Sequence, residues 1–140
     1  DKPLTYGDSS SAVMMIDLDH FKQINDEHGH QFGDACLKEV GRIILGHIKD
    51  EDGYLVRYGG DEFLVYLNSI TKEKACDIAE KIRLEVEDTT VNMRGGISSS
   101  FTISVGIAFA HNKISYNTLI NEADEALYKS KEKRNKVVSN

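Results

Sequence analysis

The chain has 140 residues, with 17 lysines and arginines against 23 aspartates and glutamates, a net charge of −6, 40% apolar residues and a single proline. That length and apolar content describe one globular domain with one core, and exclude disorder, collagen-like repeats and low-complexity sequence. Clean apolar runs such as Ala12 to Ile16 and Ile43 to Leu45 fall far short of the ~20 residues a membrane span needs, and the acidic balance argues against a nonspecific nucleic-acid binder, which needs a basic face.

The polar opening from Asp1 to Ser11 reads as loop. Ala12-Val-Met-Met-Ile16 is a continuous apolar run of strand length and reads as a strand buried on both faces, ending in Asp17-Leu-Asp19. A short helix is expected from His20 to about Glu27, with Asp19 as its N-cap, followed by a glycine-containing turn over His28 to Gly33. Asp34 then caps or opens a second helix carrying Leu37, Val40, Ile44 and Ile48 at helical spacing. Tyr54 to Tyr58 and Glu62 to Leu67 flank Gly59-Gly60 and read as a hairpin. A third helix begins near Thr71 and turns Ala75, Ile78, Ala79, Ile82 and Val86 to one face. Thr89 to Met93 is a weak strand, Arg94-Gly-Gly96 a turn, and Phe101 to Phe109 a clearer strand. Ser115 caps a last helix, Tyr116 to about Lys133, with Leu119, Ile120, Ala123 and Leu127 inward.

With the small hairpin before Phe101 set aside, the order is βαββαβ, the ferredoxin-like α+β order, with an added C-terminal helix. That topology allows the end of the Ala12 strand to lie beside the Gly59-Gly60 hairpin and so to bring Asp17 to Asp61. Cys36 and Cys76 lie in helix-like surroundings without a CxxC or a neighbouring histidine, so both are expected to be small core residues in a reducing compartment. The start at Asp1, with no leader pattern, reads as a piece of a longer protein.

Asp61 and Glu62 follow the hairpin glycines directly, crowding negative charge at a tight tip that a divalent cation would neutralise. Asp19 has a structural alternative as a cap; Asp17 has none. Asp17, Asp61 and Glu62 together offer the hard oxygen ligands that magnesium prefers, to be completed by waters and phosphates. An EF-hand reading of Asp17-x-Asp19 fails because Lys22 stands where glycine is required. His28 and His30 lack a third ligand for zinc. Asn25 and Asp34 bracket the turn between the first two helices and read either as caps or as a pair matching the donors and acceptor of a guanine edge; adenine would leave Asp34 unpaired.

Arg57-Tyr-Gly-Gly-Asp-Glu-Phe63 resembles the signature of the GGDEF diguanylate cyclase domains. Ile16-Asp-Leu-Asp-His-Phe-Lys-Gln-Ile-Asn-Asp26, Gly29-His30, Gly33-Asp34, Ser104-Val-Gly106 and Ala123-Asp-Glu-Ala-Leu-Tyr128 match that family in order, over about residues 12 to 138. The resemblance implies a single domain over 1–140 with a nucleotidyl cyclase-like palm, condensing two GTP into cyclic di-GMP and two pyrophosphates. It implies magnesium, with manganese as the alternative, held by Asp17, the Leu18 carbonyl and Asp61. Asp61 would also accept the ribose 3′-hydroxyl proton, with Glu62 as supporting acid. Lys22 would stabilise charge on the transferring phosphate. Asn25 and Asp34 would read guanine, His30 would line the nucleotide pocket, and Lys131 and Arg134 would contact phosphate.

One such domain holds one GTP, so two must face each other about a two-fold axis. The family also implies a cytoplasmic setting, nucleotide rather than nucleic-acid partners, and a sensory or regulatory domain elsewhere in the protein. Three departures stand out. The inhibitory RxxD site of many members is replaced by Asp50-Glu-Asp-Gly53, so product feedback through it is not expected. The family's opening Asp-x-Leu-Thr-Gly-Leu-x-Asn-Arg is missing, and with it the N-terminal lead-in helix. The closing Lys-x-x-x-Arg-Asn is one residue short in Lys131-Glu-Lys-Arg-Asn135, a departure from the pattern on which the role of Arg134 rests. The rival readings are a catalytically silent module that binds GTP or a partner, favoured by degenerate signatures, and another palm-like nucleotidyl transferase, which the guanine-reading pair does not fit.

Overall fold

The computed structural model describes residues 10–110 and 114–140. A five-stranded sheet has the order β2-β3-β1-β6-β7, built from β1 (Ala12–Leu18), β2 (Asp52–Arg57), β3 (Glu62–Asn68), β6 (Ile103–Phe109) and β7 (Val137–Ser139). The first four strands pair antiparallel and β7 joins β6 in parallel. β4 (Thr90–Asn92) and β5 (Ser98–Ser100) form a separate two-stranded hairpin. The ferredoxin-like order is therefore present, with β1 central between β3 and β6.

The continuous apolar run of β1 follows from its position. Ala12, Met14, Ile16 and Leu18 face one core with the helices α2 (His30–Ile48) and α3 (Lys72–Glu87), while Val13 and Met15 face a second core under α4 (Tyr116–Ser130). A strand covered by helices on both faces has no side left for polar residues. The third helix begins where expected, with Thr71 as its cap, and Ser115 caps α4 as expected; their hydroxyls accept from the amides of Lys74 (3.1 Å) and Thr118 (3.0 Å). α4 lies directly on β6 at Gly106, where a Cβ would overlap the Ala123 carbonyl oxygen and the Leu127 amide nitrogen.

Several expectations are corrected. Asp19 does not cap α1 (Phe21–His28): His20 holds that position in the left-handed region (φ 59°), with no side-chain cap. Asp34 does not open α2, which starts at His30, and the expected turn over 28–33 contracts to Gly29 (φ 92°). Asn25 and Asp34 consequently lie inside α1 and α2 rather than at their ends. The last helix stops at Ser130 instead of about Lys133, because Arg134 and Asn135 adopt positive φ (60° and 45°) and turn the chain back toward the sheet. The strand expected from Phe101 starts at Ile103, and β7 was not foreseen. Cys36 is buried in the core, whereas Cys76 is only half-buried beside it. Of the opening loop, residues 1–9 lie outside the described residues. No helix among the described residues is long and apolar enough to cross a membrane.

Candidate active site

Two strand ends and the segment after α4 assemble the acidic cluster. Asp17 stands opposite Glu62 across the β1–β3 ladder and opposite Ser104 across the β1–β6 ladder. The Tyr58 amide donates to the Glu62 carbonyl at 2.9 Å, closing the tip that presents Asp61, and Arg57 Nη2 donates to the Gly60 carbonyl at 2.5 Å. The Leu18 amide reaches the Asp61 carbonyl at 3.4 Å. Asp17 and Asp61 are thus brought together, as the topology predicted.

Burial pushes the Asp17 carboxyl up from its ordinary 3.8 to about 7; Lys131 pulls it back and the neighbouring Asp61 carboxylate raises it further. Asp17 Oδ1 is buried without a hydrogen-bond partner, while Oδ2 lies 3.0 Å from Lys131 Nζ. Glu62 is also raised, by burial first and then by the charges of Asp124 and Asp61. Because the folded value of Asp17 lies above its unfolded one, the stability it contributes is present below pH 3.8 and is lost as pH rises through about 7. In metal-free buffer the thermal midpoint of the parent is expected to fall more between pH 4.5 and 7.5 than that of Asp17→Asn. Parallel curves for the two proteins would contradict this.

Asp19 does a different job from the one expected of it. It is 2% exposed and accepts from Ser104 Oγ (2.6 Å), Thr102 Oγ1 (2.6 Å) and the Asn135 amide (2.9 Å), with Lys131 Nζ at 3.5 Å. Burial opposes its ionisation, but the hydrogen bonds from Ser104, Thr102 and Asn135, together with Lys131, outweigh burial and hold its carboxyl below the usual range. Asp19 therefore fixes Lys131 against Asp17 and ties the end of β1 to the chain beyond α4. Arg83 Nη1 supports this segment by donating to Asn135 Oδ1 at 2.9 Å. Thr102, Asn135 and Asp124 escape the sequence reading as site neighbours because nothing local in the sequence pairs Thr102 and Asn135 with Asp19, or Asp124 with Glu62.

The remaining predicted residues spread outward. Lys22 is exposed on the first turn of α1, and His30 and Asp34 are exposed on α2. Asn25 is half-buried and packs over Gly33, the residue before Asp34. Arg134 is exposed, its amide donating to the Ser130 carbonyl at 2.8 Å. Among the described residues no group of three or more His, Cys, Asp or Glu side chains is placed to hold a metal ion unaided.

An α+β palm with facing helices, whose central strand and neighbouring hairpin converge on paired carboxylates, defines a nucleotidyl cyclase-like domain. The family model for the diguanylate cyclase GGDEF domain matches residues 2–136, and the chain belongs to that family. Diguanylate cyclase DosC of Escherichia coli K12 is 39% identical over 127 residues, covering 90% of this chain and 27% of DosC. Diguanylate cyclase A of Treponema denticola is 41% identical over 128 residues, 90% of this chain and 34% of that protein. This chain therefore spans about a quarter to a third of those relatives. Among solved structures, Pseudomonas aeruginosa diguanylate cyclase SiaD, crystallised with its activator SiaC, superposes with a TM-score of 0.88 at 34% identity, covering 94% of this chain and 50% of SiaD. The GGDEF domain of DgcB from Caulobacter crescentus, in complex with c-di-GMP, gives 0.83 at 31% identity, covering 92% and 77%.

Proposed function

We propose that this domain is one half-site of a diguanylate cyclase, condensing two GTP into cyclic di-GMP with release of two pyrophosphates. The observation that carries the reading is the approach of the Asp61 carboxylate to Asp17 at the end of β1, with Asp17 Oδ1 buried and unpartnered. A buried carboxylate oxygen without a donor, next to a second carboxylate, is poorly satisfied by protein alone and fits a hard divalent cation. Asp17, Asp61 and the Leu18 carbonyl would hold magnesium or manganese, which when bound supplies charge neutralisation to the triphosphate.

Asp61 accepts the ribose 3′-hydroxyl proton as that oxygen forms its bond to the α-phosphorus of the facing GTP. The bond from that phosphorus to the pyrophosphate oxygen breaks, and pyrophosphate leaves. Glu62 supports Asp61 from the adjacent position. Lys131, already held at the site by Asp17 and Asp19, and Lys22 place positive charge near the phosphates, with Arg134 as a further phosphate contact. Asn25 and Asp34 read guanine, beside His30. Closing both 3′–5′ bonds needs a second copy of the domain about a two-fold axis. Control then falls to sensory or regulatory segments beyond these residues, in a cytoplasmic setting, without feedback through an RxxD site.

The test is nucleotide turnover by the domain fused to a constitutive dimeriser, with magnesium and an equimolar GTP and ATP mixture, read by mass spectrometry. Cyclic di-GMP is expected, with adenosine-containing cyclic dinucleotides at a few per cent or less. Bound GTP with no product would favour the silent module, and abundant mixed dinucleotide would overturn the guanine assignment of Asp34.

A further inference from the structure

We infer that Gly33 is a positioning residue for base recognition, kept side-chain-free so that the Asn25 carboxamide can lie against the backbone of α2. The inference rests on the guanine reading of Asn25 proposed above. Gly33 is buried in the first turns of α2, its amide donating to the Gly29 carbonyl at 3.2 Å. Its φ is not in the left-handed region, so the backbone conformation does not call for glycine. Inside a helix, alanine ordinarily gives the more stable protein.

The space around Gly33 supplies the reason instead. A Cβ there would overlap Asn25 Oδ1 and stand 3.0 Å from Asn25 Cγ and 3.3 Å from the Phe21 ring. Asn25 Oδ1 is itself buried without a hydrogen-bond partner. No bond to the protein therefore pins the oxygen; the missing side chain at 33 leaves it room and the surrounding packing holds it. The Asn25 backbone is fixed by its carbonyl, which accepts from the Gly29 amide at 2.8 Å.

An added methyl group meets the far end of a flexible side chain, which swings away more readily than the helix moves. Gly33→Ala should accordingly leave the fold intact and misplace the carboxamide. Stability and recognition then change independently, which a merely structural glycine would not produce.

The full chain, with Gly33→Ala, Asn25→Ala and the double variant, is titrated by calorimetry with GTP and separately with inorganic tripolyphosphate, both with magnesium, and melted alongside. The expected result is a thermal midpoint equal to or above the parent's for Gly33→Ala, GTP binding weakened roughly tenfold, tripolyphosphate binding unchanged, and a double variant no weaker than Asn25→Ala. Parent-like GTP binding by Gly33→Ala while Asn25→Ala is weakened overturns the inference and spares the guanine reading. Parent-like binding by Asn25→Ala overturns that reading itself. A lowered midpoint, or equal losses for GTP and tripolyphosphate, also overturns the inference, because the helix rather than the carboxamide would then have given way.

Discussion

Asp61→Asn is expected to reduce cyclic di-GMP formation by roughly a thousandfold or more, while the metal-free domain melts no lower than the parent. In the proposed reaction the substitution removes both a metal ligand and the acceptor of the 3′-hydroxyl proton, and asparagine replaces neither. The stability side runs the other way. The Asp61 charge is one of the causes that raise the Asp17 carboxyl, so neutralising it relieves a like-charge repulsion between partly buried groups. Opposite movements of turnover and melting temperature mark a site whose charges are held together for chemistry at the expense of the fold. Product formation above a tenth of the parent's would remove Asp61 from the mechanism. A large fall in melting temperature would instead assign the loss to misfolding.

Gly106→Ala is expected to be strongly destabilising. The Cβ would overlap the Ala123 carbonyl oxygen and the Leu127 amide nitrogen, and would lie 2.6 Å from Leu127 Cα. These are backbone atoms of α4, so no rotamer change relieves the contact and the helix itself must lift from β6. Overpacking of this kind costs about 3 kcal/mol, a fall of roughly 10 °C for a domain of this size. Because α4 also carries Lys131 just past its end, the lift withdraws Lys131 from Asp17. Gly46→Ala is the control: on the exposed face of α2 nothing lies within 4 Å of the added carbon, and it should stabilise by up to ~1 kcal/mol. A midpoint for Gly106→Ala within 2 °C of the parent's would show that α4 does not sit against the sheet as described.

Much of this architecture was readable because single local rules governed it. The uninterrupted apolar run of β1, the Gly59-Gly60 tip, the helix start near Thr71 and the cap at Ser115 each have one physical reading, and the structure has the elements in those places. The misreadings arose where two rules compete. An aspartate just before a helix reads as a cap, but left-handed His20 intervenes, and two hydroxyls and an amide from distant segments claim the Asp19 carboxylate. α2 starts four residues before Asp34 and has no capping side chain to mark that start. The spacing Phe32, Cys36, Val40, all buried, carried the signal for its earlier start. β7 is three residues long after a run of charged side chains and is stabilised by pairing with β6, which no local pattern records. The meeting of Asp17 and Asp61 followed from topology, whereas the salt bridge from Lys131 depends on where α4 ends.

The hydrogen bonds to Asp19 close loops of 83, 85 and 116 residues. No short stretch of the chain can preassemble this anchor, so its formation must wait until β1, β6 and the segment beyond α4 have all docked, and the entropy of closing those loops is recovered only then. The converse holds in the folded protein. Freeing the Asn135 amide from a carboxylate that is 2% exposed means parting the centre of the sheet from its last segment. The proposed catalytic end of β1 therefore belongs to the same cooperative unit as the core, and its protection against hydrogen exchange should report the opening of the whole domain rather than of a loop.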